Sequence, residues 1–128
     1  MSTHRSLIAF AALTALTFPA TALAADSTGT SGTLESVEIN HSTADTYLQY
    51  HGRIVIEGGG RMTEYRWGGT SCSNKTLPLE LVAMLWDALA QRDAFTLTPR
   101  YQSGQGSNKC LVGFSLAPMV PVPAAPAS

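Results

Sequence analysis

Cys72 and Cys110 are the only cysteines in a chain of 128 residues, and whether they join decides much of what the chain can fold into. Joined, they close a loop between positions 38 apart; apart, they are two reactive thiols. The N-terminus argues for joining. Met1–Ala24 reads as a secretory signal peptide: a weakly basic start with His4 and Arg5, an apolar run from Leu7 to Phe18, and a closing Ala22-Leu23-Ala24 cleavage pattern. Thr14, Thr17, Pro19 and Thr21 break up a run already shorter than the roughly 20 apolar residues of a bilayer span. Cleavage before Ala25 would leave no membrane anchor. Disulfides form and persist in exported compartments, so the expectation is a Cys72–Cys110 bridge in a periplasmic or secreted, bacterial-type protein.

Removal of the leader takes away only Arg5 of the eight basic residues, leaving seven against nine acidic ones. Such a mildly acidic chain does not suggest nucleic acid or an anionic membrane as partner, because both call for clustered Lys and Arg. Charged residues make up 13% of the sequence, about half the usual share. Much of the surface is therefore small and uncharged polar.

The organisation reads as four stretches. After residues 1–24, Ala25 to Gly32 lacks large apolar residues and is expected to be a flexible leader. Residues 33–116 form a single domain. From Ala117 to Ser128, Pro118, Pro121, Pro123 and Pro126 interrupt Ala and Val, which predicts a disordered Pro/Ala-rich tail.

Within the domain, Leu34–Asn40 predicts a strand of imperfect alternation, and Tyr47–Tyr50 the start of another. Arg53–Glu57 and Arg61–Trp67 alternate with period two around Gly58-Gly59-Gly60, which predicts a hairpin with Thr63, Tyr65 and Trp67 on one side. Leu79–Arg92 is the one helix, with Leu81, Val82, Leu85, Trp86 and Leu89 on its apolar stripe, Thr76 as cap and Pro78 in the first turn. Phe95 and Leu97 suggest a short extended segment before Pro99, and Gln102–Asn108 a polar loop. Lys109–Leu116 predicts a last strand with Cys110, Val112, Phe114 and Leu116 facing inward. The fold class is α+β: a small, mainly antiparallel sheet of about four strands, one amphipathic helix packed on one face, and one disulfide.

No complete catalytic set stands out. His41 and His51 are the histidines left after cleavage, too few for a zinc site once the cysteines pair, so no metal or cofactor is expected. Gly104-Gln105-Gly106 lacks the third glycine and the strand-to-helix setting of a dinucleotide site and reads as a turn. Glu57 and Glu64 can be imagined facing each other across the hairpin, and Glu64 and Arg66 as a solvated charge pair. Tyr65, Arg66 and Trp67, leading into the disulfide loop, are the candidate recognition edge, since aromatic and arginine side chains dominate binding hot spots. The alternative is that Tyr65 and Trp67 pack under the helix.

The primary expectation is an exported, non-enzymatic binding protein, of the inhibitor or immunity type or an envelope accessory factor, acting by contact with another exported or envelope protein. One alternative is a small secreted hydrolase using His51 and Asp45 with carboxylates such as Glu57 or Glu64. Another is a structural envelope protein with no dedicated site.

Overall fold

A computed structural model of the chain describes residues 14–17 and 25–119. Most of the expected signal peptide, and the tail beyond Met119, lie outside the described residues. No helix among the described residues is long and apolar enough to cross a membrane.

The elements are β1 (Ser27–Thr28), β2 (Thr33–Ile39), a 3-10 turn (Asp45–Leu48), β3 (Gly52–Gly58), β4 (Arg61–Trp67), α1 (Leu79–Ala90), β5 (Phe95–Ser103) and β6 (Lys109–Pro118). The strands form one mixed sheet in the order β1-β5-β6-β4-β3-β2. Among the described residues the α+β class with one helix and one disulfide holds, but the sheet has six strands rather than about four. Tyr47 lies in the 3-10 turn rather than at the start of a strand, because Tyr47 N–H bonds back to Ala44 C=O at 3.0 Å and Gln49 N–H to Thr46 C=O at 2.9 Å.

β3 and β4 form the hairpin that three glycines predict. Gly58 pairs with Arg61, and the two residues between them, Gly59 (φ 62°) and Gly60 (φ 76°), both take positive φ. That is the backbone of a two-residue turn whose twist matches the flanking strands.

Pairing extends past the expected domain at both ends. In the supposed flexible leader, Ser27 and Thr28 pair with Tyr101 and Arg100, Gly29 N–H bonds Pro99 C=O at 2.8 Å, and Gly32 exchanges bonds with Leu97. One residue later Thr33 pairs with Glu57 of β3. The same stretch of chain thus lies along β5 first and β3 next, joining the two ends of the sheet and curling it. Gly32 is the crossover, where a Cβ would sit 1.9 Å from the Glu57 carbonyl oxygen. At the other end β6 runs through Ala117 to Pro118, opposite Phe95.

Pro99 does not stop β5 as the sequence suggests. Its missing N–H falls beside a register shift between Arg100 and Tyr101, where a ladder already departs from regularity.

The core joins Leu34, Ile54, Ile56, Tyr65, Trp67, Leu97 and Leu111 of the sheet to Val82, Leu85 and Ala88 of α1. Two bulges decide which residues reach it. Leu34 pairs with Ile56 and Ser36 with Val55, leaving Glu35 unpaired, so the alternation resets and Val37 rather than Ser36 packs against the core. In β6, Tyr101 pairs with Leu111 and Arg100 with Gly113, leaving Val112 over. Phe114 and Leu116 pack against the core as expected and Cys110 is fully buried, but Leu111 rather than Val112 joins the core cluster. Cys110 lies outside this cluster.

α1 starts at Leu79 and not under a Thr76 cap. Pro78 is the N-cap, and its carbonyl accepts from Leu81 and Val82 N–H at 3.0 and 3.2 Å. The buried stripe is Val82, Leu85 and Ala88, while Trp86 is 57% exposed. A step of about 100° per residue carries Trp86 off the face that Leu85 centres. The helix stops at Ala90, and Arg92 beyond it pairs with Glu35, the bulge residue of β2, at 3.3 Å.

Candidate functional site

The three residues of the expected recognition edge separate between two faces of β4. Tyr65 (2% exposed) and Trp67 (3%) enter the core, as period-two alternation requires once Ile54 and Gly52 sit opposite them. Arg66 points to the outer face. Burial pushes the Tyr65 hydroxyl above its ordinary pKa, with a smaller contribution from Tyr101.

On the outer face the register of β2, β3 and β4 lines up a charged row. Glu38 stands opposite Arg53, and Arg53 opposite Arg66. Two arginines directly opposite would repel, and Glu64 lies between them. Its carboxylate accepts from Arg53 Nη1 at 2.7 Å and from Arg66 Nε. The Glu64–Arg66 pair expected from the sequence is present. Arg53 Nε also donates to Glu38 at 2.7 Å, and Tyr50 OH donates to the other Glu38 oxygen at 2.9 Å. The Arg66 guanidinium lies 4.5 Å from the Tyr50 ring centroid.

These contacts leave their mark on the titrating groups. Desolvation alone would raise the Glu38 carboxyl, but the bonds from Tyr50 and Arg53 outweigh it and hold the group below its ordinary value. Burial, then the bond to Glu38, raises Tyr50. The bond to Glu38, aided by the one to Glu64, raises Arg53. Two carboxylates and two guanidiniums close into a neutral network.

Beside it lies a cleft. β4 and β6 run parallel and pair only at Arg66 and Cys110, next to the Cys72–Cys110 disulfide, whose Cα atoms are 5.6 Å apart. The bond ties the loop after β4 to the start of β6, as the sequence predicts. From that point back toward the hairpin turn, β4 has β3 on one side and no paired strand on the other. The gap is a cavity of about 440 Å³ lined by Arg61, Met62, Thr63, Glu64, Arg66, Ser107, Asn108 and Lys109.

Backbone parity fixes what β4 offers to this gap. The pair that closes a two-residue hairpin, Gly58 and Arg61, is hydrogen-bonded, so Arg61, Thr63 and Tyr65 direct their N–H and C=O groups to β3. Met62, Glu64 and Arg66 direct theirs the other way. Arg66 uses them toward β6, whereas Met62 and Glu64 have no strand opposite.

Three of the seven cations after residue 24 line the cleft: Arg61, Arg66 and Lys109. Arg66 is engaged by Glu64, but among the described residues neither Arg61 nor Lys109 has a carboxylate partner, and the Lys109 ammonium lies 5.9 Å from the Tyr101 ring centroid. The sequence missed this cluster because its members are far apart in the chain and come together only through the β4–β6 contact.

Of the candidate hydrolase residues, Asp45 opens the 3-10 turn that also holds Tyr47, and His51 and Glu57 are placed apart. His51 stacks on Tyr47 with centroids 4.1 Å apart. It precedes β3, while Glu57 lies near the far end of that strand, roughly 20 Å away at about 3.3 Å per residue. Glu57 sits opposite Met62, and Glu64 opposite Val55, so the two carboxylates are offset by two positions. Gln105 and Gly106 lie in the turn between β5 and β6. Among the described residues no group of three or more His, Cys, Asp or Glu is placed to hold a metal ion. No family model, no curated protein and no solved structure matches the chain.

Proposed function

We propose that the chain is an exported, non-enzymatic binding protein, of the inhibitor or immunity type, that engages another exported or envelope protein through the open side of β4. The carrying observation is that β4 is paired along its whole length with β3 but meets β6 only at Arg66. A strand with unpaired N–H and C=O groups is a ready template for a strand from another chain. The neighbouring charged row supports recognition rather than proton transfer, since both oxygens of Glu64 and of Glu38 already accept hydrogen bonds. Export is supported by the disulfide, which suits an oxidising compartment, and by the signal-like N-terminal residues.

The test is a Met62→Pro variant. Met62 is 62% exposed and aims its N–H away from β3, so proline there deletes a donor from the open side and leaves the β3–β4 ladder intact. The oxidised wild-type protein, incubated with envelope extract at physiological ionic strength, should retain a stoichiometric partner that the variant loses while unfolding within a few degrees of wild type. Equal retention by both proteins, or no partner for either, would overturn the proposal.

A further inference from the structure

Resting on the proposed strand addition, we infer that the segment accepted at β4 is an extended acidic peptide, with its carboxylates on alternate residues. Charge leads to this conclusion. Among the described residues Glu64 is the only carboxylate lining the cleft, and Arg53 and Arg66 occupy it. Arg61 and Lys109 are the cations left over, on opposite walls. A chain that is acidic after residue 24 thus presents an uncompensated positive pocket beside free backbone groups.

The spacing of the carboxylates follows from β4 itself. Side chains on an added strand lie directly across from those of β4, about 5 Å away. Positions across from Arg61 and Thr63 share one face, and those across from Met62 and Glu64 share the other. An acidic side chain is favoured across from Arg61, within the cleft that Lys109 also lines, and is repelled across from Glu64. The ligand therefore alternates acidic with uncharged residues, and Ser107, Asn108 and Thr63 supply polar surroundings.

Three hexapeptides probe this directly: alternating Thr-Glu, alternating Thr-Gln and alternating Thr-Lys, each with blocked termini and a fluorescent label, titrated with the oxidised protein. At about 0.01 M salt, where screening is weak, the Glu peptide should bind roughly tenfold tighter than the Gln peptide and the Lys peptide weakest. The difference should vanish near about 1 M salt. The double variant Arg61→Glu/Lys109→Glu should reverse the order of the Glu and Lys peptides, and Met62→Pro should weaken all three.

The outcomes separate the two proposals. Equal binding of the Glu and Gln peptides, with sensitivity to Met62→Pro, would overturn the acidic preference and leave strand addition standing. Binding of the Glu peptide that ignores Met62→Pro and is competed away by inorganic sulfate at matched ionic strength would identify a small-anion pocket and overturn the peptide proposal. Failure of all three peptides to bind at millimolar concentration would overturn it as well.

Discussion

Reducing the Cys72–Cys110 bond should remove about 4 kcal/mol from the stability of the folded chain. The bond joins residues 38 apart, and the chain-entropy relation for a closed loop of that length gives about 13 cal/mol/K, or roughly 4 kcal/mol at 25 °C. Net stabilities of domains are about 5–15 kcal/mol, so the loss is a large part of the whole. Both cysteines are 0% exposed. After reduction the two thiols still fill the same space between the loop and β6, so the change falls on the unfolded chain. A Cys72→Ala/Cys110→Ala variant adds the cost of deleting two buried sulfur atoms, about 1–3 kcal/mol more.

Urea unfolding followed by tryptophan fluorescence separates these contributions, because Trp67 is buried in the core and reports its loss. With m of about 1–3 kcal/mol/M, reduction should lower the midpoint by roughly 1.3–4 M, and the double alanine variant should fall further. A reduced protein that unfolds within about 0.5 M of the oxidised one would refute the entropic account, since the relation cannot yield so small an effect for this loop. A double alanine variant that matched the reduced protein would refute the packing contribution.

Three further outcomes follow from burial and register. Leu85→Ala, at a fully buried position, should cost about 2–5 kcal/mol in denaturant unfolding, whereas Trp86→Ser on the next, exposed position should stay within about 0.5 kcal/mol. Gly32→Ala puts a Cβ 1.9 Å from the Glu57 carbonyl oxygen and should destabilise by about 1–3 kcal/mol, with amide exchange accelerating first at Leu97, whose N–H bonds Gly32. Because the Glu38 carboxyl is held below its ordinary value, its contribution is present above the unfolded pKa and disappears as pH falls through the folded one. Melting temperature should drop on acidification below about pH 4.5, less steeply in Glu38→Gln, and equal slopes in the two proteins would contradict the assignment.

What the sequence discloses is local. The Gly58–Gly60 hairpin is legible because glycine in succession has few other structural uses, and the helix because Val82, Leu85 and Leu89 recur at its period. Periodicity misleads wherever one residue is inserted into a ladder. Glu35 and Val112 are such insertions, each putting the alternation on its two sides out of phase, so that one continuous period-two pattern cannot fit the strand. Trp86 misleads differently: it lies four residues from buried Val82, yet about 100° round the helix from Leu85, which centres the buried stripe of Val82, Leu85 and Ala88. Ser27–Thr28 carries no apolar signal, since an edge strand of two small polar residues is held by backbone bonds alone.

The cleft is the least legible part because it is made by where pairing stops. Parallel neighbours need a long crossover, and here α1 and β5 both lie between β4 and β6, so no spacing in the sequence announces that Arg66 will meet Cys110. The disulfide sits at this single point of pairing. It holds the two strands together where Arg66 and Cys110 pair and leaves their separation toward Gly60 to the sheet's twist, so the staple and the open side of β4 are parts of one construction. Reduction should then weaken peptide binding at β4 even below the denaturant range where the fold is lost, because the wall carrying Lys109 would no longer be fixed relative to Arg61. Peptide affinity unchanged by reduction, in protein still fully folded, would show instead that the β5–β6 hairpin positions this wall without the bond.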